Sequence, residues 1–465
     1  MTEKQCATGI EENGVAPENG VAKWDIKSYS PTKKRILFVA MCIFHILTFV
    51  FFNLPYTYLP LYNEERNIST SWTGLILGAA AVGLTIACLV IAPIAISRFS
   101  TRIVLSGSSV GIGISIFLFS LMDFVKDSVA YEILSIIFRF TSGLFGGVIN
   151  VTIFAAYVAI YPEYVATVTS IGESVLNGAV AFGPFLGGVL YEASGFIAAS
   201  LVPGILIFLC ALPSFYLPSL NSKKRRAAEE DCSLKSLLDP WVLFPLWHLA
   251  SAQILISYHM PLLSTYVEKA FDANVVWSGA ALLVSTAVIC ISSPLLGFLI
   301  DKFGPIKMMM ASAVLLPPIY ALIGPNPILS FIPASRAQVI IALALLGLAV
   351  PMACISALPV MLQVYPSRNG GNLPINIINQ LVSFYCASYP IGIFIGTLVS
   401  GFVAPYASFA WSTGTLSLIY IAQSILCIAY CILIMRQGDV SQEENKDAYV
   451  MENQGAVSEL NNQQL

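Results

Sequence analysis

The chain has 465 residues, 57% of them hydrophobic and 11% charged, with a formal net charge of −3 and a mean hydropathy of +0.79. That much apolar surface cannot be hidden in one soluble core, so the composition specifies an integral membrane protein. It offers no basic surface for nucleic acid, and because the few charges lie between apolar runs they report topology instead.

Residues 1–35 are polar and contain no apolar h-region, so no cleavable signal peptide is expected and the first span must act as the insertion signal. Apolar runs of about 20 residues place spans near 36–60, 72–96, 103–122, 130–158, 165–190 and 196–217. A polar stretch at 218–240 follows, then spans near 241–267, 275–300, 306–324, 337–364, 375–403 and 409–435. The expected fold is an all-α membrane protein of twelve transmembrane helices in two six-helix bundles, 36–217 and 241–436, with tails at 1–35 and 437–465. The last 29 residues, polar and acidic, are expected to be disordered.

An even number of spans puts both tails on one side. That side holds 18 of the 23 Lys and Arg residues: six before the first span, Arg98, Arg102, five in the 218–240 linker, Lys302, Lys307, Arg368, Arg436 and Lys446. The positive-inside rule therefore makes both tails cytoplasmic. The first loop on the opposite side carries Asn67-Ile68-Ser69, a glycosylation acceptor on the lumenal or extracellular face, whereas Asn150-Val151-Thr152 lies within a span and should be silent. Of the ten cysteines only Cys6 and Cys232 fall clearly outside spans, which argues against a disulfide framework.

Ionisable residues inside spans are expensive, so each needs a reason. In the fourth span Arg139 shares a face with Gly143, Gly146 and Asn150. The fifth span, within Glu173 to Phe196, has the densest chemistry. Glu173 is the one acid deep in a span, and Asn177 lies four residues on, on the same face. Ala179, Gly183 and Gly187 recur every fourth residue as a smooth stripe for close helix approach, Gly188 adjoins it, and Pro184 removes an N–H and should kink the helix.

The wording GPFLGGVLY, with VATV (Val165 to Val168) before it and LYEASGF around and after its end, resembles the glycine-proline motif in the fifth helix of proton-driven antiporters of the major facilitator superfamily. Within that superfamily the segment looks most like the vesicular amine transporter family, and specifically its vesicular polyamine transporter branch. Arg139 with its glycines resembles the arginine-glycine motif that superfamily antiporters carry in the fourth helix. In the second half, GFLIDKFGPIK, with Gly297, Asp301, Lys302, Gly304 and Lys307, resembles the superfamily's gating loop between the eighth and ninth helices. ISSPLLGF (Ile291 to Phe298) and GPNPIL (Gly324 to Leu329) add to the likeness to the polyamine branch. The corresponding first-half loop keeps Arg98 and Arg102 but lacks the aspartate and the glycines. The offsets from Pro93 to Pro294 and from Pro184 to Pro390 are 201 and 206, consistent with a duplicated six-helix unit.

The residues expected to serve the substrate or proton coupling are Glu173, Arg139, Asn177, Asn53, His248, His259, Tyr385 and Tyr389. Counting residues from the ends of the expected spans places Arg139 and Glu173 at similar depths, so contact between them is possible. Asn379, Gln380 and Ser383 share the eleventh span with the tyrosines, and Tyr56 follows Asn53 in the first. Departures matter too: the first span has no acid, and the tenth reads SALPVMLQV, with Val360 and Met361 where the polyamine branch tends to show a carboxylate. A polycation site is weakened by this, and a monoamine, a zwitterion or an anion each remains open.

The resulting expectation is a secondary transporter of a cytoplasmic vesicle or the plasma membrane that exchanges protons for a small organic, amine-bearing solute by alternating access, as proton antiport into an acidic vesicle. The alternatives are a uniporter, or a non-transporting receptor or sensor on the same fold. Protons, solute and membrane lipid are the expected partners of a monomer that needs no cofactor and no metal, and no motif of an enzyme is present.

Overall fold

The structure, a computed structural model, describes residues 30–214, 238–271, 275–324, 326, 335–369, 375–403 and 408–462. Most of the linker, Cys6, Cys232, Asp272 and the side chains of Pro184 and Glu268 lie outside the described residues.

The first span is divided into α1 (Pro31–Asn53) and α2 (Pro55–Glu65). Pro55 brings no N–H to the helix ladder, and near the same point Asn53 Nδ2 donates to the Phe49 carbonyl of its own helix at 2.7 Å. A π-helical turn, Ala87–Ile91, joins α3 (Thr70–Ile86) to α4 (Ala92–Arg98) in the second span. The third and fourth are α5 (Thr101–Ser120) and α6 (Ser128–Ile160), the latter capped by Asp127, whose carboxylate accepts from Ala130 N at 2.7 Å.

α7 (Val165–Ser214) is 50 residues long, about 75 Å if straight and so far too long for a core about 30 Å thick. Gly195, at φ +73°, breaks it and turns the chain back. Gly183 and Gly187 before the break pack on α1 and α2, and Gly204 after it packs on α5. One glycine therefore joins the fifth and sixth spans.

The second half contains α8 (Pro240–Phe271), α9 (Val275–Phe303), α10 (Pro305–Ala321), α11 (Arg336–Arg368), α12 (Ile375–Val403) and α13 (Phe409–Asn462). Gly304, at φ +95°, makes the turn between α9 and α10, and Pro305 opens the next helix. Among the described residues, ten helical stretches are each long and apolar enough to cross a membrane. Dividing the Val165–Leu209 stretch at Gly195 and adding the 17-residue α10 gives twelve spans, six in each half. α13 continues to Asn462, where the sequence reading expected a disordered tail. The tail carries Glu, Gln, Ala and Lys, all good helix formers, and no proline.

Small residues hold each bundle together, and they do so in the same way in both. A Cβ at Gly183 would sit 2.7 Å from the Val50 carbonyl, and one at Gly187 would collide with the backbone of Leu54, so the fifth span lies backbone to backbone on the first. In the second half Gly392 and Gly396 meet Ala250 and Ile254 of α8, 209 residues further on at both positions. Gly83, Gly143 and Gly147 close α3 onto α6 in the same manner, and Gly347 closes α11 onto Ser285 of α9. The two halves are repeats of one packing scheme.

Candidate functional site

The described polar contacts between the halves begin at the end of the bundle where the chain enters along α1 and leaves along α13, here the tail side. Asp301, near the end of α9, accepts hydrogen bonds from Ala166 N at 3.1 Å, Thr167 N at 2.8 Å and Thr167 Oγ1 at 2.7 Å. A carboxylate is thereby placed on the free N–H groups of the α7 N-terminus, where the helix dipole favours it. Gly297, one turn earlier, has no Cβ because Ser170 and the Ala166 carbonyl occupy that space. Ala166, Leu296, Ile300, Met352 and Ile355 form a buried apolar cluster across the same seam. Lys302 and Lys307 of the motif are exposed.

Two turns deeper along α7, Glu173 is 3% exposed and Tyr385 of α12 donates to its Oε1 at 3.0 Å. Tyr385 Oη is 3.3 Å from Tyr389 Oη, one turn further along α12. The neighbouring residue Ser174 donates to the Cys290 carbonyl of α9, so α7 is tied to two helices of the other half at this level. The Phe154 ring of α6 meets the Tyr385 ring edge-on at 5.8 Å. Behind Phe154 lies His45, whose Nε2 is 3.2 Å from Asn150 Oδ1 and whose Nδ1 is 3.4 Å from Tyr157 Oη. These partners assign the tautomer with the proton on Nε2. On the far side Gln253 Nε2 of α8 donates to Cys354 Sγ of α11 at 3.3 Å. Carboxylate, phenols, an amide and aromatic faces from both halves thus converge near the seam.

Arg139 does not join them. It is 2% exposed, with Nη1 3.4 Å from the Phe52 carbonyl and its guanidinium over the rings of Phe52 and Tyr56 at 5.2 and 5.8 Å. Its Nε and Nη2 have no partner among the described residues. The contact with Glu173 that the sequence allowed is absent, and helix length explains why. α6 runs for 33 residues, well beyond the membrane core. Counted from the tail side, Arg139 lies about 32 Å and Glu173 about 12 Å along their helices, so they differ by roughly 20 Å in depth.

The other expected residues divide between the seam and the interiors of the bundles. Tyr385 and Tyr389 reach the seam. Asn177 Nδ2 donates to the Glu173 carbonyl at 2.8 Å, a bond within its own helix, and Asn53 likewise serves α1. His248 lies inside the second half, with Nε2 2.9 Å from Ser312 Oγ and Nδ1 3.2 Å from Gln423 Nε2. His259 Nδ1 is 2.7 Å from the Leu255 carbonyl, and its ring faces Tyr320. Both histidines therefore face their own bundle, and the structure does not bring them to Glu173. Gly188 touches Thr57 of α2. Asn67 is exposed at φ +57° beyond the end of α2, whereas Asn150 is buried on His45. The seven cysteines whose side chains are described are all free thiols, and among the described residues no His, Cys, Asp and Glu cluster could hold a metal. Sequence reasoning did not single out Phe154, Tyr157, Gln253 or Cys354. One signal was available: Asn150, Phe154 and Tyr157 follow one another at i, i+4 and i+7, a single face of α6.

Comparison with known proteins places this architecture. The sequence model of the Major Facilitator Superfamily matches residues 37–373. The chain belongs to that superfamily. It is 25% identical over 358 residues to the MFS-type transporter SLC18B1 of Homo sapiens and 24% identical over 360 residues to that of Mus musculus, in each case across 76% of this chain and 77% of the relative. The resemblance read in the fifth span, to the superfamily and to the polyamine branch of the vesicular amine transporter family, therefore stands. Among solved structures, the human organic anion transporter MFSD10 (TETRAN) superposes with a TM-score of 0.66 at 16% identity, covering 86% of this chain and all of that one, which supports the fold. The protein is a multi-pass membrane protein of a transporter superfamily, with the fold of two six-helix bundles.

Proposed function

We propose that this chain is a proton-coupled antiporter that moves a small amine-bearing solute by rocking its two halves, 36–217 and 241–436, around Glu173. The observation that carries the reading is a buried carboxylate on one half that accepts a phenol hydrogen bond from the other, Tyr385 to Glu173. When the halves part on the tail side, Glu173 loses Tyr385 and meets a different neighbourhood. Its proton affinity then differs between the two states, which is what coupling requires. A protonated Glu173 satisfies itself with a neutral partner, and an ionised one attracts an ammonium group. One site thus alternates between proton and amine.

Asp301 acts as the tail-side latch on α7, and Gly297, Gly304, Lys302 and Lys307 shape that contact. Arg139 acts inside the first half, holding the carbonyl of Phe52 close to the break between α1 and α2. Both tails are cytoplasmic, Asn67 carries glycan on the opposite face, and an acidic vesicle supplies the gradient. Two pH units across the membrane are worth about 2.7 kcal/mol per proton, enough for roughly hundredfold accumulation of a neutral solute at one-to-one exchange. The test is Glu173→Gln in proteoliposomes, assayed both for solute counterflow and for uptake driven by an acid interior. Accumulation is expected to fall to equilibration, and counterflow to weaken with it because the amide offers an ammonium no counter-charge. Normal gradient-driven accumulation by this variant would remove Glu173 from coupling, and wild-type uptake unaffected by collapse of the pH gradient would identify a uniporter.

A further inference from the structure

A cavity of about 560 Å³ lies at the tail-side end of the second half, where α10 begins and where α11 and the membrane-crossing part of α13 end. Its lining has two characters. Ile306, Val364 and Ile434 make an apolar wall, whereas Gln363, Arg368 and Gln437 make a polar rim. We infer that this cavity binds the headgroup of an anionic phospholipid bearing a phosphomonoester, with the body of the lipid against the apolar wall. The site is separate from Glu173 and does not rest on the transport reading.

Arg368 is held in the geometry that a phosphate needs. Its Nε donates to Asp239 Oδ2 at 2.5 Å, and its guanidinium lies over the Trp241 ring at 5.3 Å. Asp239 is anchored in turn, since its Oδ1 accepts from Trp241 N at 3.0 Å. A carboxylate on one edge and an aromatic face beneath fix the plane of the guanidinium. They leave Nη1 and Nη2, which share one edge and have no partner among the described residues. Two parallel donors on a fixed fork match two oxygens of one phosphate.

The charge balance at this end of the second half also favours an anion. Among the described side chains, Lys302, Lys307, Arg368 and Arg436 stand there against Asp239 and Asp301. Both acids are occupied, Asp239 by Arg368 and Asp301 by the three donors at the start of α7. Lys307 adjoins Ile306 in the chain, and Arg436 stands between the lining residues Met435 and Gln437. The amides of Gln363 and Gln437 add donors and acceptors for hydroxyl groups. The volume falls in the range of small-molecule sites and is more than a lone phosphate fills. The apolar wall sits at helix ends, where the bilayer surface lies, and a basic pocket between helices at that level is suited to a lipid headgroup.

The experiment is native mass spectrometry of the detergent-purified full-length protein titrated with short-chain phosphatidylinositol 4-phosphate. Saturable binding of a single lipid is expected, at least about tenfold tighter than that of phosphatidylinositol or phosphatidylcholine, which lack the monoester. Arg368→Gln should weaken it by about tenfold or more through loss of the charge-assisted fork. That change also releases Asp239, so Gln437→Glu is the second variant: it leaves the Arg368–Asp239 pair in place, sets a carboxylate on the rim and should weaken binding by about threefold or more. The linker run Lys223, Lys224, Arg225 and Arg226 is a rival source of lipid affinity, and changing all of it to Gln should leave the tenfold preference intact. Binding lost in that linker variant and unchanged in Arg368→Gln and Gln437→Glu overturns the inference, as does a parent protein with no saturable binding or with equal affinity for phosphatidylcholine. Equally tight binding of water-soluble inositol 1,4-bisphosphate overturns the lipid assignment in favour of a site for free phosphate esters.

Discussion

The fifth span makes two kinds of contact, and they differ in construction. Toward its own half it presents Ala179, Gly183 and Gly187, pressed on the backbone of α1 and α2 with no room for a methyl group at either glycine. Toward the other half it presents the free N–H groups of its first turn, Ser170, Glu173 and Ser174, which meet Asp301, Gly297, Tyr385 and the Cys290 carbonyl. The first surface gains from close van der Waals packing, the contact that holds helices together in lipid. The second consists largely of discrete hydrogen bonds around two carboxylates. Such bonds can be exchanged for water or solute as the halves part, whereas backbone packing cannot be exchanged for anything. The buried charges follow the same division: Arg139 is walled by rings inside one half, and Glu173 stands at the seam.

The comparison breaks most readily at Gly187. Gly187→Leu forces a side chain into the Leu54 backbone, and overpacking of this kind costs about 1–3 kcal/mol or more. A lower melting temperature and loss of monodisperse protein are expected in size-exclusion chromatography. A variant as stable as the parent would mean that the stripe is not the permanent joint. Gly297→Ala, at the seam, should leave the melting temperature nearly unchanged and open the tail side.

Asp301→Asn tests the latch. Hydrogen bonds to a charged group are worth about 1.5–3 kcal/mol, and the amide keeps only part of its acceptor capacity toward the three donors on α7. The expected result is an altered rate of interconversion and greater tail-side accessibility of a cysteine placed at Ser170, with solute affinity nearly intact. Equal loss of binding and transport would reassign Asp301 to the site or to folding.

Tyr385→Phe removes one neutral-donor bond to Glu173, an effect of about 1 kcal/mol or fivefold. Gradient-driven uptake should fall by that factor while counterflow changes less, because the ring contact with Phe154 survives. A loss as complete as that of Glu173→Gln would give the phenol a share in proton transfer.

Much of this was legible in sequence because membrane insertion writes it there. Apolar lengths give the spans, and the four-residue spacing of Ala179, Gly183 and Gly187 marks a helix contact whatever the partner. Asp301 beside Gly304 announces a tight turn at a helix end. The depth of Arg139 was misjudged because the expected spans were taken to end at the membrane boundary, whereas α6 extends for 33 residues. Tyr385 and Tyr389 were legible as candidates, but their pairing with Glu173 was not: Tyr385 lies 212 positions away, and only the docking of one half on the other brings it near. His248 and His259 share a face of α8 as their spacing implies, but spacing does not say which neighbour that face meets.

The smallest effect is expected at His248, and it discriminates between packing and titration. Its ring bridges Ser312 on α10 and Gln423 on α13, with both nitrogens occupied within the second half. Interhelical hydrogen bonds of this kind in a membrane protein are worth about 0.6 kcal/mol on average. His248→Gln can retain one of the two bonds, so the melting temperature should fall only slightly. The pH dependence of uptake, measured by varying external pH at fixed gradient, should overlay that of the parent. A displaced pH profile with unchanged stability would place a titrating group inside the second half, and coupling would then have to pass through α8 as well as through Glu173.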